Sequence, residues 1–394
     1  MTSPLPFVLH VSGDFPDSID EDKTKVVRSL VDLTQSEFEH RVLSLNRVSP
    51  SARELAREVV RPAPLKVNLH PFTYGGALVY SAPPRGIRHE TKLIQLGQWL
   101  ADYIARLDRK PDLIVAHKLA IEGICVREAS RILGIPYAIS IQGDTDTKVL
   151  DIRRDLRKNL RVILNEARFI FPFSAWSWRA ICERLGTPET PHSLLPCPTE
   201  LDEPLAPTTG GKVVSSVFHL KSHKRKNLQG LADAFQILNA QGFAMPLEIA
   251  GGGDSKDIAA SQSLLSKSPL VRLLGAMDRD GVRAHLNQSA AFVLPSLRET
   301  FGLVFVEALF AGTPIIYPEG TSVDGFFDDC PFAIRVPAKD ARAIADAVKW
   351  AVENEATLKE QLAAWQVSDH AKRFQRPAIA KTFCDGLNVA MSRA

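Results

Sequence analysis

The sequence predicts an α/β protein of two doubly wound, parallel-sheet domains facing a central cleft. Three observations carry this reading. Short β-type apolar runs alternate with longer helical patterns along the chain, and a Pro-rich stretch interrupts that alternation near the middle. The length, 394 residues, is too great for one ordinary domain and comfortable for two.

In the first half, residues 7–11, 41–45, 113–116 and 137–141 read as strands with helices between them. The lead into the first strand, Met1-Thr-Ser-Pro-Leu-Pro, lacks the basic start and long apolar core of a secretion signal. Residues 90–107 carry Leu93, Leu96, Leu100, Ile104 and Leu107 at helical spacing, followed by a Lys-Pro-Asp break and a strand. From 187 to 211 the composition shifts to Pro188, Pro191, Pro196, Pro198, Pro204 and Pro207, ending in Gly210-Gly211. This predicts a linker over 191–211 between a domain at 1–190 and one at 212–370. In the second domain, 213–218, 247–250, 271–274, 291–294 and 314–317 read as strands. Residues 371–394 place Phe374, Ile379, Phe383 and Leu387 at helical spacing.

Composition narrows the function. The apolar fraction of 45% and charged fraction of 24% are those of a soluble globular chain, and a net charge of +3 gives no reason to expect nucleic acid. Five scattered cysteines argue against a disulfide framework or a Cys-based zinc site and fit a reducing cytoplasm. No window approaches the roughly 20 apolar residues of a spanning helix.

The chemistry concentrates in residues 295–314. Gly312 suits the left-handed position after a helix, and Pro314 stops the helix from resuming. Glu307 lies among Val304, Phe305, Val306, Ala308, Leu309 and Phe310, a helix too apolar all round for the surface. A carboxylate buried there costs several kcal/mol unless a donor meets it, and a ligand hydroxyl pair would serve. At the helix start, the N–H groups near Phe301, Gly302 and Leu303 would favour phosphate, with Gly302 allowing close approach.

Glu299 and Glu307, with seven residues between them that include Phe301-Gly302-Leu303, and Ala311-Gly312-Thr313-Pro314 after, resemble the Glu-x7-Glu signature of retaining GT-B glycosyltransferases of the group 1, or family 4, type. The alternative is a core helix with one salt-bridged glutamate. The resemblance implies a GT-B fold of two Rossmann-like domains, with Glu299 on hydroxyls of the transferred sugar, Glu307 on the nucleotide ribose, and Thr300 to Leu303 on the donor. It implies that Lys224 binds the donor diphosphate. Phe218 and His219 stand where a Gly-Arg pair is usual, so His219 or Arg225 would replace the arginine; alone, 221–226 is a solvated basic loop. Gly251 and Gly252 resemble the glycine-rich turn beside the donor.

The first domain of that family binds the acceptor, and Gly13 and His117 fall on that side. Gln142 stands where a histidine is usual near the transferred sugar. A histidine at a strand end, such as His117, is also an ordinary structural residue. Asp144-Thr-Asp146 matches the Asp-x-Asp metal motif of the other large glycosyltransferase fold, but three-residue matches arise by chance. We expect no metal and no cofactor beyond the donor substrate.

The resemblance thus implies transfer, with retention, from a nucleotide-diphosphate sugar to a saccharide or lipid-linked acceptor hydroxyl in polysaccharide or glycolipid assembly. The expected setting is cytoplasmic, with room for peripheral contact at the inner membrane through the arginine-rich 151–161 segment, otherwise a solvated helix face. The helix at 371–394 is expected to cross back to the first domain. Two rivals are a sugar-nucleotide epimerase and a non-catalytic nucleotide-sugar-binding subunit. A nicotinamide-dependent dehydrogenase is weaker, because the first strand lacks a Gly-x-Gly-x-x-Gly turn.

Overall fold

The computed structural model describes residues 4–51, 64–83 and 88–392. The first three residues of the N-terminal lead and the last two of the C-terminal segment lie outside them. The chain divides into two compact units, the first comprising 1–173, 177–195 and 379–394, the second 174–176 and 196–378.

Unit 1 is built on β1 (Phe7–Ser12), β2 (Glu39–Val48), β3 (Val67–Phe72), β4 (Gly75–Ser81), β5 (Leu113–Ala116), β6 (Tyr137–Ile141) and β7 (Phe169–Pro172). Their order is β3-β4-β2-β1-β5-β6-β7, and every pairing is parallel except β3 with β4. All residues of β1, β5, β6 and β7 are buried, as expected of strands covered on both faces. The order reverses between β1 and β5, so the loops after these strands open a crevice at the C-terminal edge of the sheet. The helix Arg376–Ser392 belongs to unit 1 from Ile379 on and buries Ile379, Phe383 and Leu387. Phe383 meets the Phe171 ring at 5.1 Å, and Gly386 approaches so closely that a Cβ there would lie 2.3 Å from that ring.

Unit 2 is built on β8 (Val214–Val217), β9 (Leu247–Ala250), β10 (Val271–Gly275), β11 (Ala291–Val293), β12 (Ile315–Pro318) and β13 (Ala333–Val336), ordered β10-β9-β8-β11-β12-β13. All pairings are parallel, and the reversal falls between β8 and β11.

Each strand read from the sequence is present, whereas the β3–β4 hairpin and β13 were not foreseen. The arginine-rich 151–161 segment is not one helix face. One helix, Asp144–Ile152, ends before Arg153, whose non-helical ψ of 66° breaks it, and a new helix runs Arg157–Glu166. The Pro-rich 191–211 segment is divided: His192 bridges to Ile170 in unit 1, whereas Leu205 N–H donates to Phe310 O at 2.7 Å and Gly211 N–H to Glu355 Oε1 at 2.9 Å in unit 2. Among the described residues no helix is long and apolar enough to cross a membrane.

Candidate functional site

In unit 2, the loops leaving β8 and β11 run side by side, with Leu297 N–H donating to the Arg225 carbonyl at 2.9 Å. After a 3₁₀ turn at Leu220–Ser222, the β8 loop closes on Asn227, which takes the left-handed conformation (φ 62°) and caps the Leu228–Ala240 helix through the Gly230 N–H. A side-chain bond from Asn227 to the Ala338 carbonyl, 2.6 Å, fixes this cap. The residue just before it is thereby held in place. It is Lys226, whose ammonium pairs with the Glu299 carboxylate while only 13% of its side chain stays exposed.

The sequence pointed instead to Lys224, which is exposed, as are Arg225 and His219. The lysine that the structure brings to Glu299 is the one directly before the helix cap Asn227. His219 is occupied locally, its Nδ1 accepting the Lys221 N–H at 3.2 Å.

The backbone around Glu299 is tied down carbonyl by carbonyl. Thr321 Oγ donates to Glu299 O at 2.6 Å, the Trp176 indole to Thr300 O at 2.9 Å, and Ser322 Oγ to Phe301 O at 2.8 Å. Gly302 follows with φ 77° as the cap of the Leu303–Phe310 helix, and a Cβ there would lie 2.8 Å from both the Phe305 ring and Ser322 Oγ. In the first turn Phe305 N–H turns back to the Gly302 carbonyl at 3.0 Å, while half-buried Leu303 stands at the helix start, where main-chain N–H groups point out of the helix and favour an anion.

Glu307 lies on that helix and accepts the Thr199 hydroxyl at 2.6 Å. Burial pushes its carboxyl above the usual range, and Thr199 and Arg279 pull it only part of the way back. Gly251 and Gly252 follow β9 directly. A Cβ on Gly251 would fall 1.8 Å from the Phe218 carbonyl, and one on Gly252 would sit 3.3 Å from Ala276.

The predicted residues of the first domain lie at the β1–β5 switch of unit 1. Gly13 N–H donates to Glu122 Oε1 at 2.6 Å, and Lys118 pairs with Asp14 at 2.7 Å. Asp146 accepts the Ala120 N–H at 2.9 Å, and Gln142 is buried on the adjacent loop. Glu122 and Asp146 are wholly buried, and Glu122 Oε2 and Asp146 Oδ2 have no partner within the described residues. Burial raises Glu122 to about 7 and Asp146 to about 6. Burial alone would lower Lys118, but Glu122, Asp14 and Asp146 outweigh it and leave it raised.

Sequence reading missed Lys118, which precedes the π turn Leu119–Gly123, and Glu122, which lies within it. It noted Asp146 only as part of a metal motif, whereas Asp146 holds a main-chain N–H. Among the described residues no group of three His, Cys, Asp or Glu is placed to hold a metal ion. His117 is buried with both ring nitrogens engaged, by His10 at 3.0 Å and Ser140 at 3.1 Å.

Two parallel-sheet units with these strand orders define the GT-B fold, and solved structures of that fold superpose over nearly the whole chain. Sucrose-phosphate synthase from Thermosynechococcus elongatus matches with a TM-score of 0.70 at 18% identity, covering 99% of this chain and 100% of that one. A UDP-forming α,α-trehalose-phosphate synthase from Burkholderia xenovorans, solved with glucose-6-phosphate, matches with a TM-score of 0.65 at 13% identity, covering 97% and 100%. At these identities the likeness is one of fold. Residues 211–354, within unit 2, match the model of the family Glycosyl transferases group 1. Phosphatidyl-myo-inositol mannosyltransferase of Mycobacterium leprae (strain TN) is 29% identical over 141 residues, a stretch spanning 36% of this chain and 37% of that protein.

Proposed function

We propose that the protein is a retaining glycosyltransferase that moves a sugar from a nucleotide-diphosphate sugar to an acceptor hydroxyl without a metal ion. The observation that carries the reading is the Lys226–Glu299 pair at the β8–β11 switch, beside the start of the Leu303–Phe310 helix. One ammonium and a helix N-terminus converge where a leaving diphosphate would need positive charge.

In this reading Glu299 holds hydroxyls of the transferred sugar and orients Lys226. Glu307 uses the oxygen not taken by Thr199 to receive ribose hydroxyls. The bond from the anomeric carbon to the diphosphate breaks, the electron pair leaves with the phosphate oxygen, and the acceptor hydroxyl bonds on the same face. A donor phosphate oxygen takes the acceptor's proton, so no protein nucleophile is required.

The names of the similar proteins support a nucleotide-sugar donor and bracket the acceptor between a sugar phosphate and a phosphoinositide lipid. We take the acceptor to be saccharide or lipid-linked, and the setting to be the cytoplasmic side of a membrane in polysaccharide or glycolipid assembly. The rival of a non-catalytic binding subunit draws on the absence of an arginine at exposed His219.

The test is a metal-free thermal-shift and calorimetric screen against UDP, GDP, ADP, CMP and their common sugar conjugates. A ligand at a hundredfold excess over its Kd should add about 2.7 kcal/mol of stability. Glu307→Gln should weaken binding of that ligand tenfold or more while leaving the Tm of the free protein unchanged or higher, because burial already penalises this carboxylate. Unchanged affinity in the variant, or no nucleotide bound at millimolar concentration, would remove the assignment. Product formed without any acceptor would favour an epimerase, and binding without turnover a non-catalytic subunit.

A further inference from the structure

Three histidines far apart in sequence form one continuous hydrogen-bonded row across the sheet of unit 1. His40 Nδ1 lies 2.9 Å from His10 Nε2, and His10 Nδ1 lies 3.0 Å from His117 Nε2. Hydroxyls end the row, with Thr34 Oγ at 2.9 Å from His40 Nε2 and Ser140 Oγ at 3.1 Å from His117 Nδ1. His10 and His117 are completely buried and His40 is half-buried. The row ties together the helix Val26–Thr34 and strands β2, β1, β5 and β6.

The proton positions follow from one end. Thr34 gives its hydroxyl hydrogen to the Leu30 carbonyl at 2.8 Å, so towards His40 it can only accept, and His40 carries its hydrogen on Nε2. A neutral His40 then offers a bare Nδ1, which accepts from His10 Nε2–H. The same step repeats: His10 Nδ1 accepts from His117 Nε2–H, and His117 Nδ1 accepts from Ser140. All three rings are neutral Nε2–H tautomers with every contact satisfied.

The row holds four contacts, and each needs one hydrogen. One extra proton can be accommodated if the tautomers reverse and Ser140 becomes the acceptor. A second extra proton cannot, because some contact must then set N–H against N–H at about 3 Å.

We propose that this row is an acid-sensitive latch on unit 1, which holds its strands together while carrying at most one extra proton and releases them when a second enters. The charged groups near it are few. Lys118 opposes charge on His117, and Asp32, exposed on the Val26–Thr34 helix, favours charge on His40. The remaining ring neighbours are Phe38 at 5.8 Å from His40 and Phe383 at 6.2 Å from His10. The first proton therefore enters at His40.

Burial holds His117 at about 3 and His40 at about 4, and pushes His10 down as well. These groups bind more protons unfolded than folded below pH 6.5, so their contribution is complete above that pH and is lost as pH falls toward 4.

Two measurements on the full chain test this. Histidine side-chain nitrogen NMR should show the three rings as Nε2–H tautomers at pH 7.5, with no single-site titration near pH 6.5 in folded protein. An Nδ1–H tautomer, or a ring titrating independently near 6.5, would overturn the proposal. Urea unfolding between pH 7 and 4.5 should show His10→Gln, which keeps a donor and an acceptor but cannot titrate, taking up one or more protons fewer on unfolding than wild type. Equal proton uptake in the two proteins would also overturn it.

Discussion

Lys226→Ala should lower turnover of the donor sugar nucleotide by two to three orders of magnitude. That is the usual loss when one preorganised donor is removed from a developing negative charge. The ammonium is fixed from both sides, by the Glu299 carboxylate and by the adjacent Asn227 cap, so its position involves no reorganisation when the diphosphate departs. Lys224→Ala removes an exposed charge two residues away and should change turnover less than threefold. Initial rates of nucleoside-diphosphate release, with the donor identified by the nucleotide screen, check both. A Lys226 variant keeping more than a tenth of wild-type activity would reject the role, and a larger loss in the Lys224 variant would reinstate the residue that the sequence pointed to.

Gly251→Ala should destabilise unit 2 by about 3 kcal/mol or more, at the upper end for overpacking. The added methyl would lie 1.8 Å from the Phe218 carbonyl, and Gly251 N–H is tied to the Gly275 carbonyl at 2.7 Å. Backbone on both sides leaves no side chain free to yield. For a unit of this size the Tm should fall by roughly 6–12 °C. Gly252→Ala meets only a side-chain contact at 3.3 Å and should cost about 1 kcal/mol or less. Calorimetry of the two free proteins distinguishes them, and equal melting temperatures would show that the Phe218 loop can move. Gly251 therefore has a packing role before any ligand arrives.

The central strands were legible because burial on both faces leaves short unbroken apolar runs, as in residues 7–11 and 137–141. The β3–β4 hairpin was not. Its outer strand, Val-Asn-Leu-His-Pro-Phe, is mostly exposed, contains Pro71, and among the described residues pairs with β4 alone. Arg153 broke a segment whose basic residues read as a single helix face. Around the site, Glu299, Gly302 and Glu307 stood out because one short helix, its cap and the loop just before it hold all three in a fixed local spacing. Lys226 did not, since its position depends on the cap of a helix two elements after β8.

His117 illustrates a different limit. As a lone histidine at a strand end it carries little information. Its partners His10 and His40 lie 107 and 77 residues earlier, and only parallel pairing of β1 with β2 and β5 lines them up. Glu122 was equally hidden, because its contact to Gly13 spans 109 residues.

The helix that ends the described chain has a consequence for the order in which the protein is made. Ile379, Phe383 and Leu387 are buried in unit 1, beside strands translated hundreds of residues earlier. A ribosome that has reached residue 378 has synthesised every residue of unit 2 but not those that seal unit 1. Until they emerge, Phe171 lacks the aromatic ring that covers it. N-terminal domains usually fold first during synthesis; here the domain whose strands are made first is the last to close.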